Sequence, residues 1–192
     1  MTADPRAALA EVYGLLRRHD LNDSHSGNGS VRDGDRVWIT PTGCCADTVT
    51  SEDLVACEGG QPAPGASLDA PLHLAVYAAR PEAGAVLHCH GPHAIAITLR
   101  PGQPVRDYVP ADFEGAYYFS TVPVLDVPYA DYVAQSPGAV SRALSRAPVA
   151  IVRGHGIYAW GRDLDEAYKR VASLEASARI SWLSAQLGAP GQ

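Results

Sequence analysis

The sequence predicts an α/β domain in which helices cover a mixed sheet, and three observations predict it. Short apolar stretches with the period of two expected for strands recur along the chain, as in the run from Ala85 to His90. Stripes at spacings of three and four occur near both ends, over Pro5 to Arg18 and from Leu164 to Ala178. Tight turns join several of the strand segments, and strands outnumber helices, an arrangement that sheet-plus-helix layers satisfy.

The elements follow in order. From Pro5 to Arg18, Leu9, Val12, Tyr13 and Leu16 form one helical face, with Pro5 at the start and Asp20, Asn22 and Asp23 after the end. Gly27 to Arg32 and Arg36 to Thr40 read as two strands around the turn Asp33-Gly34-Asp35. Pro41-Thr42-Gly43 ends the second strand, Thr50 to Leu54 resembles a capped helical turn, and Glu58 to Gly65 is loop. Ser67 is expected to cap a helix running to about Arg80, with Leu72, Val76 and Tyr77 buried and Pro71 in the first turn. In the strand Ala85 to His90, Val86, His88 and His90 point one way and Ala85, Leu87 and Cys89 the other. Thr121 to Val127 and Val149 to Arg153 are further strands, Val140 to Arg146 a short helix, and Asp163 with Glu166 a capping box for the last helix.

Composition narrows the function. The 192 residues, 46% hydrophobic and 19% charged, suit a single domain over 1–192 with a real core. The 21 acidic residues against 15 Lys and Arg give a net charge of -6, which offers a polyanion such as nucleic acid no electrostatic footprint. No apolar run approaches the roughly 20 residues that span a bilayer, and the N-terminus is not a signal peptide, so a cytoplasmic location away from membranes is expected. Cys44, Cys45, Cys57 and Cys89 have no CxxC spacing, which argues against a zinc ribbon or a disulfide framework. Lys169, the single lysine, lies in the last helical stripe, which disfavours Schiff-base chemistry.

The chemistry-bearing constellation is a set of histidines. His88 and His90 project from one strand face and can meet at one ion, and His155, between Gly154 and Gly156 after an apolar strand, supplies a third imidazole. On spacing alone, a pair of hydrogen-bonded, partly buried histidines explains His88 and His90 equally well. His73 shares a helix face with Asp69 and reads as a core or supporting residue, His25 and His93 as loop or pocket residues, and Cys89 as a buried thiol.

The succession Gly27-Asn28-Gly29-Ser30-Val31-Arg32, Ile39-Thr40-Pro41-Thr42-Gly43, Ser67 to His73, Arg80-Pro81, His88-Cys89-His90 and Arg153-Gly154-His155-Gly156 resembles the class II aldolase and adducin-head family, nearest to its L-fuculose-phosphate aldolases. The resemblance runs through nearly the whole chain. It implies a three-layer α/β/α fold with a central, largely antiparallel mixed sheet. It implies zinc, or manganese or cobalt, on His88, His90 and His155, and a homotetramer with sites between subunits. The activity implied is that of an aldehyde-lyase, a carbon-carbon lyase of carbohydrate metabolism that cleaves a ketose 1-phosphate or a related polyhydroxy carbonyl compound by a reversible retro-aldol step through a metal-stabilised enediolate. By position, the family's acidic residue falls on Asp69 and its tyrosine acid on Tyr108, while Asp112 matches an epimerase position used for proton transfer. Taken alone, an Asp after a turn such as Asp112 is more often a helix cap or a solvated loop residue. Asn28, Thr42, Gly43 and Ser67 match the phosphate cradle, but Leu68 stands where the family has a second serine.

The aldolases usually carry Glu where this chain has Asp69, whereas L-ribulose-5-phosphate 4-epimerases carry Asp, which there can serve as an additional metal ligand. The sequence thus leaves an epimerase as the alternative, with a dehydratase, a decarboxylase and a non-catalytic oligomeric module behind it. The chain as read ends soon after Leu187, so a tyrosine-bearing C-terminal tail like that of some fuculose-phosphate aldolases is not expected.

Overall fold

The computed structural model describes residues 4–100 and 105–187, so the tail expectation lies outside the described residues. Helix α1 spans Pro5–Arg18; the Asp4 side chain accepts from the Arg6 N–H, and Leu9, Tyr13 and Leu16 are buried. Strands β1, Asn28–Asp33, and β2, Arg36–Ile39, form the expected hairpin, with Gly34 at a φ of 60° in its turn. Strand β3, Val55–Cys57, extends the sheet beyond β2. Residues 50–54 form no helix: the Asp53 carboxylate accepts from both the N–H and the hydroxyl of Thr50 and closes a turn.

Helix α2 begins at Ala70 and runs to Ala79, later than a cap at Ser67 predicts. A helix starting after Ser67 would require an N–H from Pro71, which has none. The observed start puts Pro71 in the first turn, where no donor is needed. Ser67 instead accepts from the N–H of Asp69, and Asp69 becomes the residue before the helix without using its carboxylate as a cap. That carboxylate is left for the pocket.

Strand β4, Ala85–Cys89, is followed by α3 (Pro92–Thr98), β5 (Asp107–Tyr108), α4 (Phe113–Tyr118) and β6 (Val122–Leu125). A 3-10 turn at Tyr129–Asp131 leads into α5, Tyr132–Leu144, which starts eight residues before the expected helix and carries Pro137 inside it. Strands β7 (Val149–Val152) and β8 (Gly156–Gly161) precede α6, Leu164–Leu187, at whose start the Glu166 N–H donates to Asp163.

Among the described residues, eight strands lie in the order β3-β2-β1-β4-β8-β7-β6-β5, and only β6 and β7 pair in parallel. Helices α1, α3, α4 and α6 cover one face over a core that includes Leu9, Leu87, Ile157 and Leu174. On the other face, α2 and α5 pack Leu72, Val76, Val140 and Leu144 on Val86, Tyr158 and Trp160. The fold is therefore α/β with a mixed sheet between helical layers. Each fully buried Leu contributes roughly 1.5–3 kcal/mol. The β4 alternation is as the sequence predicts: Ala85, Leu87 and Cys89 enter the first core and Val86 the second, on the side where His88 projects.

Candidate active site

Sheet register builds the site. Asn28 on β1, His88 on β4 and Tyr158 on β8 are cross-strand neighbours in one row. The His88 and Tyr158 rings stack with centroids 4.0 Å apart and planes 3° from parallel. His90 follows at the end of β4, and His155 sits in the turn between β7 and β8. Gly154 takes a φ of 67° there, and a Cβ on Gly156 would lie 2.3 Å from the Cys89 carbonyl oxygen and 3.0 Å from His88 Cε1. Glycines flank His155 because one residue turns left-handed and the other has no room for a side chain.

The three histidines meet. His88 Nε2 lies 3.0 Å from His90 Nε2 and 3.2 Å from His155 Nε2. His88 Nδ1 is 3.0 Å from the Ile157 carbonyl oxygen, which can only accept, so the proton belongs on Nδ1 and Nε2 presents a lone pair. Two further Nε2 atoms and the Tyr158 hydroxyl, 3.3 Å away, all approach that one lone pair. A single acceptor cannot satisfy three donors, whereas a cation satisfies converging lone pairs. Burial lowers the pKa of His88 well below the ordinary value, and burial also lowers those of His90 and His155. The neutral form favoured in this way is the one that binds metal. These three side chains form a cluster within 4.8 Å that could hold an ion.

Beside them lies Asp69, 5% exposed. Its Oδ1 accepts from the Tyr132 hydroxyl at 2.7 Å and its Oδ2 from Asn28 Nδ2 at 3.0 Å, with the Tyr158 hydroxyl 3.4 Å from Oδ2. The Tyr132 and Tyr158 hydroxyls also bond to each other. Burial pushes the Asp69 carboxyl up, while positive charge on His88 or His73, when either is protonated, and the Asn28 and Tyr132 hydrogen bonds at all times pull it down; the balance lies below the usual range. The site therefore combines a neutral imidazole cluster with a buried carboxylate, a set able to hold a Lewis acid next to a base.

The cluster opens into a cavity of about 550 Å³ lined by Asn28, Thr42, Gly43, Ser67, Leu68, Asp69, Tyr132 and the histidines, among others. The proposed cradle residues are thus brought together with the histidines. Leu68 stands at the rim, 61% exposed. The guanidinium on the lining is that of Arg153, which donates to Asp126 and to the carbonyls of Thr98 and Val105.

Tyr108 and Asp112 lie away from this cavity. The Tyr108 hydroxyl pairs with Ser181 at 2.8 Å beside a second cavity lined by Leu99, Val109 and Trp182. Asp112 caps α4, accepting from the Gly115 N–H at 2.9 Å. His25 and Cys44 line the first cavity. His93 does not; its Nδ1 lies 2.7 Å from Glu175, which caps α3. His73 is buried, paired through Nδ1 with Ser30, and Cys89 is a buried thiol as expected. Tyr132 and Tyr158 are the site residues that the sequence reading missed.

A sequence model of the family described as Class II Aldolase and Adducin N-terminal domain matches residues 7–182. The chain belongs to that family. It is 30% identical over 200 residues to a probable bifunctional methylthioribose-1-phosphate isomerase/methylthioribulose-1-phosphate dehydratase of Nocardia farcinica; the match covers 92% of this chain but spans only 35% of that longer protein. It is 31% identical to the 3,4-dihydroxyphthalate decarboxylase of a Terrabacter species, over 97% of this chain and 83% of the relative. Among solved structures, the L-fuculose-1-phosphate aldolase of Thermus thermophilus superposes with a TM-score of 0.87 at 30% identity, covering 97% of this chain and 98% of that one. Class II aldolases are metal-dependent, and this family member has a three-histidine site fitted for an ion. Among the described residues no helix is long and apolar enough to cross a membrane.

Proposed function

We propose that this chain is a metal-dependent aldehyde-lyase that reversibly cleaves a carbon-carbon bond in a ketose 1-phosphate or a related small polyhydroxy carbonyl compound. The observation that carries the reading is the convergence of three imidazoles beside the buried, doubly hydrogen-bonded carboxyl group of Asp69 in one cavity. His88, His90 and His155 would hold the ion, and zinc suits three imidazole donors with one position left open, with manganese or cobalt as substitutes. When bound, such an ion supplies Lewis-acid stabilisation of the negative charge that develops on a carbonyl oxygen.

The chain's own residues do the rest. Asp69, facing the cavity as a carboxylate, takes the proton from the hydroxyl whose carbon becomes the aldehyde and then, as the acid, delivers it to the carbon that keeps the electron pair of the broken bond, giving the ketone; in reverse the carboxylate removes that carbon-bound hydrogen. Asn28, Thr42, Gly43 and Ser67 orient the far end of the substrate with uncharged donors, one amide hydrogen of Asn28 being committed to Asp69. Tyr108 and Asp112 reach a site only from another copy, in keeping with a homotetramer whose sites lie between subunits. Exposed Val109, Phe113 and Tyr117 beside them suit burial against a neighbour. A cytoplasmic location goes with this reading.

The alternative, a sugar-phosphate 4-epimerase, is favoured by the aspartate at position 69. Loss of water or of carbon dioxide is favoured by the relatives named for those reactions. Incubating the zinc-loaded protein with dihydroxyacetone phosphate or dihydroxyacetone in D₂O tests the lyase reading. Metal-dependent exchange of a carbon-bound hydrogen, seen by NMR and lost in Asp69→Asn, is expected, and no exchange with any three-carbon ketone refutes it.

A further inference from the structure

Asp69 is one methylene shorter than the glutamate of the aldolases, and two phenols absent from the sequence-level expectations surround it. We infer that the hydroxyl pair Tyr158–Tyr132 holds the Asp69 carboxylate outside the ligand sphere of the ion, as a positioned base rather than a fourth ligand. The inference rests on the reading of His88, His90 and His155 as the metal centre.

Three observations support it. Both carboxylate oxygens are engaged: Oδ1 by Tyr132 at 2.7 Å, Oδ2 by Asn28 at 3.0 Å. The donors come from α5 and β1, so the carboxylate is fixed from two sides of the cavity. The Tyr158 hydroxyl lies 3.4 Å from Asp69 Oδ2 and 3.3 Å from His88 Nε2, within reach of both the carboxylate and the imidazole cluster. It is held there by the stack of Tyr158 on His88, a consequence of their pairing across β4 and β8. An oxygen moving toward the histidines would give up a donor that now holds it. The cluster of mutually close ligand atoms accordingly contains the three histidines and omits Asp69. Tyr132 and Tyr158 are positioning residues here: they act through Asp69.

Cobalt(II) reads the ligand sphere directly, because its visible absorption changes in intensity and shape when a ligand is added or lost. Metal-free protein and its variants are titrated with Co(II), and each variant's fold is checked by circular dichroism. The inference expects Asp69→Asn to keep the wild-type spectrum and to weaken affinity by less than about tenfold, the lower bound for losing a supporting partner of a metal site. It expects the double variant Tyr132→Phe/Tyr158→Phe to change the spectrum, as the released carboxylate enters the sphere. Adding Asp69→Asn to that variant should restore the original bands. If the double variant fails to fold, Tyr132→Phe and Tyr158→Phe singly carry the same comparison with smaller shifts. A changed spectrum in Asp69→Asn alone overturns the inference, as does an unchanged one in the tyrosine variants. A wild-type protein that binds no Co(II) overturns the metal-centre reading and the inference with it, which separates the two failures.

Discussion

Replacing Gly156 by Ala probes the link between sheet and site. The added Cβ would meet the Cys89 carbonyl oxygen at 2.3 Å and His88 Cε1 at 3.0 Å, well inside the separation of about 3.5 Å at which non-bonded carbon contacts are comfortable. The obstacle on one side is backbone of β4, which is paired on both edges with β1 and β8 and cannot retreat alone. Overpacking of this kind costs about 3 kcal/mol, the upper part of the usual range. The other neighbour is a proposed ligand, so relief by moving His88 should weaken metal binding about tenfold or more. Gly34→Ala is the control: a φ of 60° with nothing within 4 Å of its Cβ predicts a cost of about 1 kcal/mol and no change in metal affinity. Urea denaturation with unchanged slope measures the first quantity and zinc titration against a chelating dye the second. A Gly156→Ala protein as stable as wild type, or one that binds zinc as tightly as Gly34→Ala, refutes the reasoning.

Three further outcomes are expected. His73 is fully buried, and burial lowers its pKa from 6.5 to about 4. The unfolded chain therefore takes up that proton first as pH falls. The His73 contribution is intact above pH 6.5 and is lost between 6.5 and about 4, amounting to about 3 kcal/mol; urea midpoints should fall less steeply over that window in His73→Asn. Leu68→Ser restores a hydroxyl at the rim of the cradle and should lower KM for a phosphorylated substrate about two- to tenfold, one neutral hydrogen bond, while leaving an unphosphorylated analogue unaffected. If sites lie between subunits, His155→Ala and Tyr108→Phe proteins, each inactive, should regain activity when dissociated and reassembled together; mixing without recovery argues that Tyr108 serves no neighbouring site.

Much of this arrangement can be read from local pattern, because local physics decides it. The α1 boundaries follow from Asp4, Pro5 and an apolar stripe, and the outward turn of His88 follows from a period of two on β4. The glycines around His155 announce a crowded turn. What escapes is set by distant contacts. The three-residue β3 is too short to show a period, and Pro137 hides the first half of α5. The start of α2 depends on which N–H Pro71 lacks, a signal present in the sequence but read from Ser67 instead. Strand β8 is not expected at all, because Gly156 to Gly161 is buried on both faces, and nothing in that run says Tyr158 will stack on a histidine 70 residues earlier. Only the β4–β8 register does so, and with it comes the hold on Asp69.

The most direct test of the lyase account is to incubate the zinc-loaded protein with a panel of ketose phosphates and unphosphorylated ketoses and follow products by mass and stereochemistry. The account predicts that a substrate disappears into two fragments, an aldehyde and a three-carbon ketone, and that a chelator stops the reaction. An unchanged mass with a new epimer, or loss of water or carbon dioxide without fragmentation, contradicts it.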